Sequence, residues 1–172
     1  IESQTFEEYE IVLIKKGRMA ATSNAAISGC SGEIIKILYM DDYLAHPKAL
    51  QTIIDNFGGN DHWLVTGCLH DDESIFNDKQ TNPHYPIYSE DIHTGNNTIG
   101  SPSVLAFANE GDWQFDENLS WLLDCDLYKR LHDAYGSPII LNDLNVVIGL
   151  HSGQTTHKLT QDEKLFEYQY LE

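Results

Sequence analysis

Short apolar runs rich in β-branched residues alternate with helix-forming segments along this chain, and this alternation limits the folds it can adopt. The runs typical of buried strands are Glu10–Ile14, Ile34–Met40, Trp63–Leu69, Ser103–Ala108 and Ile139–Leu150. The predicted helices are Ala20–Ser28, His46–Phe57, Leu119–Tyr135 and Gln161–Leu171. Strands that alternate with helices commonly pair in parallel, so the sequence predicts an α/β fold with a mainly parallel sheet.

The length of the chain, its hydropathy and its cysteines narrow the class of protein. Its 172 residues are enough for one domain with a real core, so we expect a single domain over residues 1–172. No stretch approaches the roughly 20 apolar residues that span a bilayer, and no secretory leader opens the chain. The three cysteines, widely spaced and odd in number, predict free thiols in a reducing compartment. We therefore expect a cytoplasmic protein, either free or peripheral to a membrane.

The charge balance excludes some partners. The chain carries 27 acidic residues against 10 Lys and Arg, a formal charge of -17. Duplex nucleic acid and anionic membrane surfaces both require clustered basic residues, so neither is expected as a main partner. A phosphate-bearing ligand would need a divalent cation here, and acidic residues would have to hold that cation.

Two adjacent acids, Asp41 and Asp42, directly follow the predicted strand Ile34–Met40. In open α/β sheets, ligands bind just beyond the carboxyl ends of strands, where a hard cation and its phosphates find room. A solvated turn explains the same pair equally well from position alone, so both interpretations stay open at this point.

Asp124 is the second carboxylate of interest. At about 100° per residue it falls within one apolar stripe of the predicted helix, formed by Trp121, Cys125, Tyr128, Leu131 and Tyr135. A carboxylate on the core-facing side needs partners or a polar cavity, so Asp124 either bonds a neighbouring loop or acts as a general base. Asp126 lies on the opposite side, four residues before Arg130, and this spacing predicts an ordinary surface ion pair.

Two separate carboxylate sites suit inverting glycosyl transfer. A base takes the proton from an acceptor hydroxyl as its oxygen attacks the anomeric carbon of the donor sugar. The leaving group is a nucleotide diphosphate, and a metal ion can neutralise the charge that grows on it. The reaction therefore needs one acid at the metal and another across the sugar.

Several segments, taken in order, resemble the motifs of family 2 glycosyltransferases of the GT-A fold. They are SQTFEEYEIVLI (Ser3–Ile14), GRMAATSNAAISGCSGEIIKILYMDDYLAHPKAL (Gly17–Leu50), GSPSVLAFAN (Gly100–Asn109) and FDENLSWLLDCDLYKRL (Phe115–Leu131). The resemblance covers nearly the whole chain. It implies a GT-A fold, a nucleotide-sugar donor, a saccharide or other hydroxyl acceptor, and a Mn²⁺ or Mg²⁺ cofactor, as in cell-surface polysaccharide biosynthesis.

The resemblance also implies roles for individual residues. Asp41 matches the acid that binds the metal beside the donor, and Asp42 would assist it. Asp124 matches the catalytic base. Arg18 and Asn24, in the stretch that precedes the acids, match positions on the donor side.

Three features depart from the family pattern. Tyr39 stands where the first acid of the metal motif is usual, and Leu123 replaces the acid that usually precedes the base. The family's first strand and nucleobase-binding loop have no counterpart. We expect that the sequence omits residues before Ile1 and after Ile14, so the nucleobase cannot be predicted.

Further candidates carry two interpretations each. His151, in the segment LHSGQTTH, lies where some GT-A enzymes complete the metal shell, although a lone His is commonly structural; His157 is a weaker candidate. Trp121 either stacks on an acceptor sugar or packs in the core. Lys16 and Arg18 either contact a diphosphate or are exposed solubilising residues.

The polar segment Asp71–Asn97 is predicted to be a long loop. It contains Tyr85, Tyr88 and His93 and begins shortly after Trp63. Long loops in compact domains are often functional, so this one either closes over the acceptor or is only pinned by its aromatic residues.

Two functions of other classes also fit the sequence. One is a non-catalytic, glycosyltransferase-like module that binds a saccharide or scaffolds a complex, which the missing nucleotide loop and Tyr39 favour. The other is a metal-dependent phosphoester hydrolase built on Asp41 and Asp42, which leaves Asp124 without a role.

Overall fold

The computed structural model describes residues 1–15, 17–59, 61–72 and 82–171. The helices are α1 (Met19–Gly29), α2 (Ala49–Asn56), α3 (Leu123–Tyr135), α4 (Thr155–Lys158) and α5 (Gln161–Leu171), with 3₁₀ turns at Ile92–Thr94 and Pro102–Val104. The strands are β1 (Ile34–Lys36), β2 (Tyr43–Leu44), β3 (Trp63–Asp72), β4 (Asn82–His84), β5 (Leu105–Ala108) and β6 (Ile139–Leu150). The predicted α/β class is confirmed.

The six strands form one mixed sheet, and the prediction of a mainly parallel sheet is wrong. The strand order is β1-β5-β3-β6-β2, with β4 paired to β3. Among the strands of the described ranges, β3–β6 is the one parallel pairing; β1–β5, β5–β3, β3–β4 and β6–β2 are antiparallel.

The position of β5 is the main reason for the mixed sheet. Strands β1 and β3 flank helix α2 in sequence and run in the same direction, as expected of a crossover unit. Strand β5 lies between them and runs antiparallel to both. The alternation of strands and helices records which elements follow one another, but it does not record which strands become neighbours.

The predicted strand Glu10–Ile14 is also wrong, since this segment has no regular secondary structure. Its Ile11 and Leu13 side chains are each 58% exposed, so they are not in the core. The Glu10 carboxylate instead accepts hydrogen bonds from the backbone N–H groups of Ser31 (2.5 Å) and Gly32 (3.0 Å). These bonds hold the segment beside the turn that precedes β1.

Other predicted elements agree with the structure in type and differ at their ends. Helix α5 covers the predicted residues, and α1 contains the predicted helix Ala20–Ser28. The apolar run after Gly32 forms a strand only to Lys36, and α3 begins at Leu123 rather than at Leu119. The predicted run Ile139–Leu150 forms one strand over the same residues, β6.

The core lies between the sheet and helix α3. The apolar stripe of α3 is confirmed, because Cys125, Tyr128 and Leu131 are each at most 1% exposed. Tyr128 stacks against Trp63 of β3, with 6.2 Å between ring centroids. This stack packs the middle of α3 against the central strand β3.

The state of the cysteines and the character of the helices were also predicted from the sequence. Cys30, Cys68 and Cys125 are free thiols. In the described ranges, none of the helices combines the length and the apolar character of a membrane-spanning segment.

Candidate functional site

Strand β2 brings the acidic pair to the end of β6. Tyr43 and Leu44 pair antiparallel with Val147 and Val146. Continuing that register places Asp41 beside Gly149, at the carboxyl end of β6. The two-residue strand β2 was not predicted, yet it determines where Asp41 lies.

Gly149 lets the backbone of Asp41 approach β6 closely. A Cβ atom built on Gly149 would lie 2.4 Å from the carbonyl oxygen of Asp41. That distance is far inside van der Waals contact, so any side chain at this position would push the acidic turn away. Glycine is required here by close backbone approach, which is one of its ordinary uses.

We expect Gly149→Ala to displace Asp41 and to destabilise the fold by about 1–3 kcal/mol, the usual cost of overpacking. Urea unfolding measures this change. The matched control is Gly58→Ala, since nothing lies within 4 Å of a Cβ at Gly58, and its stability should stay within about 0.5 kcal/mol of the parent. Equal stability of the two variants would contradict the predicted clash.

The side chains of Asp41 and His151 contact each other, and both line a cavity that is described below. The His151 Nε2 and Asp41 Oδ2 atoms are 3.1 Å apart, and both side chains are more than one-third exposed. The backbone N–H of Gly153 donates to His151 Nδ1 (3.0 Å), so in this arrangement Nε2 carries the ring proton and donates to Asp41. Binding a cation through Nε2 requires that proton to move to Nδ1, with loss of the Gly153 contact.

The chemistry of this pair suits a cation that is shared with a substrate. Within the described residues, no cluster of three or more His, Cys, Asp or Glu is placed to hold a metal ion. Mg²⁺ is commonly held by one or two carboxylates together with substrate phosphates, and Mn²⁺ accepts both oxygen and imidazole ligands. Asp41 and His151 therefore fit a site that is completed by a diphosphate, rather than a closed protein cage.

Asp42 points into the protein and makes interior hydrogen bonds. It is 9% exposed, and its Oδ1 accepts from the backbone N–H of Gly149 (3.0 Å). Burial raises the pKa of its carboxyl, while hydrogen bonds from Ser103 and Gly149 and the charge of Lys36 lower it. Asp42 thus fixes the turn that presents Asp41, and its role as a second metal ligand stays a prediction.

Lys36 lies beneath this turn and was not singled out in the sequence. Its Nζ donates to the carbonyl of Ile37 (2.8 Å) and to the carbonyl of Ser103. Burial lowers the pKa of Lys36 to about 7, and attraction to the Asp42 carboxylate opposes that effect. The half-buried Lys36 amine and the buried Asp42 carboxylate are thus close enough for each to influence the pKa of the other.

Asp124 lies in the first turn of α3 and is half-buried. Its Oδ1 accepts from the backbone N–H of Cys125 (2.8 Å), and its Oδ2 accepts from Asn97 Nδ2 (2.9 Å). Burial raises the pKa of Asp124 to about 6, although its hydrogen bonds with Cys125 lower it. The surface pair predicted from the same helix, Asp126 with Arg130, is confirmed.

Asn97 is a site residue that the sequence reasoning missed. Its Oδ1 accepts from the backbone N–H groups of Ile99 (3.1 Å) and Gly100 (2.8 Å), and this turn aims Nδ2 at Asp124. The sequence pattern Asn-Thr-Ile-Gly indicates a turn at this place. No local signal relates that turn to a carboxylate 27 residues away.

We expect Asn97→Asp to raise the pKa of Asp124, because a carboxylate would replace the amide donor and face a second carboxylate. Carboxyl ¹³C NMR measures this shift. Asn96→Asp is the matched control, since Asn96 donates to Asp91 instead and should leave the pKa of Asp124 unchanged. A fall in the pKa of Asp124 in the Asn97 variant would contradict the contact.

The predicted metal-site and base residues line one cavity. Its volume is about 1230 Å³, and its lining includes Asp41, Asp42, Asp124, His151 and Tyr39. Tyr39 is close enough to Asp124, Asp42 and Asp41 to be affected by their charges. Burial and these charges raise the pKa of its hydroxyl.

The two predicted donor contacts do not line this cavity. Asn24 is buried, where its amide donates to the Phe115 carbonyl (2.9 Å) and its oxygen accepts from the Phe115 N–H (2.7 Å). It pins α1 to the segment before α3. Arg18 instead reaches the hydroxyl of Ser120 (3.4 Å). Their roles toward a donor stay predictions.

The remaining candidates have varied positions. Trp121 is half-buried. It lines the cavity, and it also packs edge-on against Tyr168 of α5. Trp63 is 2% exposed and is a core residue. His157 lies in α4 and is exposed. Lys16 lies outside the described residues.

The predicted long loop Asp71–Asn97 contains structured parts. Residues 73–81 lie outside the described residues. Beyond them, β4 pairs with β3, and Tyr88 stacks on His132 of α3 with ring centroids 3.8 Å apart. Tyr85 is 48% exposed, and His93 is half-buried. The stacked pair fixes this part of the loop to α3.

Comparison with known proteins does not identify a family. The chain matches no protein-family model, and a search of curated proteins finds no significant match.

Proposed function

We propose that this protein is a metal-dependent glycosyltransferase that moves a sugar from a nucleotide-sugar donor to a hydroxyl acceptor, with inversion at the anomeric carbon. The observation that carries the proposal is the placement of a proton acceptor and an acid–imidazole pair on one cavity. Asp124 lines this cavity, and so do the paired side chains of Asp41 and His151. The resemblance to GT-A enzymes belongs to the same proposal.

Asp124 has the properties of a general base. Its pKa of about 6 leaves it ionised near neutral pH, and it remains basic enough to take a proton in the transition state. Asn97 and the Cys125 N–H orient its two oxygens. Its partial exposure to the cavity gives an acceptor hydroxyl access to the carboxylate.

Asp41 and His151 are the residues that would hold Mn²⁺ or Mg²⁺ on the donor diphosphate. A bound cation would neutralise charge on the leaving nucleotide diphosphate. This arrangement is consistent with the strongly acidic chain, which has few basic side chains to do so. Asp42 and Gly149 hold the turn that presents Asp41 to the cavity.

The test is a panel of nucleotide sugars incubated with the protein and a saccharide acceptor mixture, with Mn²⁺ or with a chelator. The proposal expects release of nucleoside diphosphate that depends on both metal and acceptor. Donor binding without turnover would indicate the non-catalytic saccharide-binding module. Phosphate release from simple esters without an acceptor would indicate the phosphoester hydrolase.

A further inference from the structure

Glu167 is a buried carboxylate on an otherwise exposed helix. It is 4% exposed and is the buried residue of α5, whose Leu165 and Phe166 are more than half exposed. Its Oε1 accepts from the backbone N–H of Ser120 (2.8 Å), and its Oε2 accepts from those of Trp121 (2.9 Å) and Leu122 (2.8 Å). One side chain therefore satisfies three consecutive backbone donors.

These three donors belong to the segment that leads into α3. The first N–H groups of a helix and of its approach lack intrahelical partners, and a side chain at the N-cap usually satisfies one of them. The N-cap of α3, Leu122, makes no side-chain cap hydrogen bond. Glu167, 45 residues further along the chain, takes this function, and its negative charge also suits the positive end of the helix dipole.

Asp124 is the second residue of the helix that Glu167 caps. We propose that Glu167 is a positioning residue for Asp124: by binding the N–H groups of Ser120–Leu122, it fixes the start of α3 and thereby the direction of the Asp124 carboxylate. The description of Asp124 as a base rests on the proposed function, whereas the positioning itself does not.

Further contacts hold α5 against the same segment. Tyr168 packs edge-on against Trp121 with 5.4 Å between centroids, and Lys164 Nζ lies 4.8 Å from the centre of the Trp121 ring. The Tyr170 hydroxyl donates to Asp116 Oδ2 (2.8 Å). These contacts bring the carboxylate of Glu167 to its donors from a helix that buries little else.

The charges around Asp124 make its titration a sensitive readout. Burial raises the pKa values of Cys125, Tyr39 and Tyr128, so all three are uncharged near neutral pH. The Glu167 carboxylate repels the Asp124 carboxylate and raises its pKa, in the same direction as burial.

The other charged groups near this start of α3 lie on other elements. Arg18 contacts Ser120, and the charges of Asp41 and Asp42 act, with that of Asp124, on the Tyr39 hydroxyl. Loss of the Glu167 charge and loosening of the α3 start both act to lower the pKa of Asp124, because repulsion and burial decrease together.

The experiment compares Glu167→Gln with Glu163→Gln, one turn earlier on α5. Glu163 is exposed and binds only Thr160, so it is a matched control. In Glu167→Gln we expect a lower pKa of Asp124 by ¹³C NMR. We also expect amide hydrogen exchange at Ser120–Leu122 to accelerate by roughly tenfold or more. Both quantities should stay unchanged in Glu163→Gln.

An unchanged pKa of Asp124 in a folded Glu167→Gln protein with faster exchange would overturn the proposal, because Glu167 would then be structural only. If that variant does not fold, Glu167→Asp replaces it in the experiment. Aspartate retains the negative charge, but its side chain is one methylene shorter, so the carboxylate lies further from the N–H groups of Ser120–Leu122. A pKa of Asp124 equal to that of the parent, beside faster exchange, would overturn it there too. Neither readout needs transfer activity, so failure of the proposed function is detected separately.

Discussion

Transfer by the Asp124→Asn variant is expected to fall roughly 10²–10⁴-fold, the usual contribution of a general base. Asparagine has the size of aspartate and retains an oxygen for the Cys125 N–H, but it cannot accept a proton. Donor binding should survive, because the hydrogen bonds of Asp124 are to Cys125 and Asn97 and not to the proposed metal ligands Asp41 and His151. Steady-state turnover and calorimetric titration with the donor measure the two effects.

Asp126→Asn is the matched control for this variant. Asp126 lies two residues further along the same helix and pairs with Arg130 on the surface side. It should retain the parent turnover. If Asp124→Asn kept near-normal turnover, the assignment of the base would be wrong, and an equal loss in both variants would point to damage of the helix instead.

The pKa of Asp124 also predicts how transfer depends on pH. A base must be ionised, and the pKa of Asp124 in the folded protein is about 6. Turnover at saturating donor should therefore decrease as the pH falls through about 6. A profile that stays flat down to pH 5 would contradict the role of Asp124.

The same shift has a consequence for stability. The folded protein binds the Asp124 proton more tightly than the unfolded chain, whose pKa is about 3.9. Between these two values the folded state holds more protons, so this group's contribution to stability falls as the pH rises from about 4 to about 6. The Asp124→Asn variant lacks this loss. Urea unfolding from pH 4 to pH 7.5 should show a loss of about 1–3 kcal/mol in the parent that is absent in the variant.

The second large effect is expected at the acidic turn. Asp41→Asn should weaken Mn²⁺-dependent donor binding roughly 100-fold or more, because it removes a charged ligand from a site with few protein ligands. Donor binding measured by calorimetry with Mn²⁺ and with a chelator gives this ratio. Asp55→Asn, at an exposed position of helix α2, should leave it unchanged.

The Asp42→Asn variant distinguishes the role of Asp42 from that of Asp41. Asp42 is buried among Gly149, Ser103 and Lys36, so its replacement should chiefly lower stability, by about 1–3 kcal/mol. A larger loss of Mn²⁺-dependent binding in Asp42→Asn than in Asp41→Asn would reverse the assignment. Donor binding that ignores Mn²⁺ in the parent would remove the metal from the proposal.

Local patterns in the sequence predicted much of the secondary structure. The stripe of α3 identified its buried face and, within it, the half-buried Asp124, because helical geometry alone fixes which residues share a face. The same reasoning failed for Glu10–Ile14, where an apolar, β-branched run forms no strand. Apolar character favours burial and pairing, but pairing also requires a partner edge, which a local pattern does not contain.

The sequence by itself therefore determined the α/β class, the face of α3 and the candidate acids Asp41 and Asp124. The tertiary structure decided the sheet order, with β5 inserted antiparallel, and it decided which acid of the turn is exposed and which is buried. It also brought Asn97 and Glu167 to the start of α3. Asn97 lies 27 residues from Asp124, and Glu167 lies 45 residues from Leu122. Such contacts depend on how the elements pack rather than on the periodicity of any one segment.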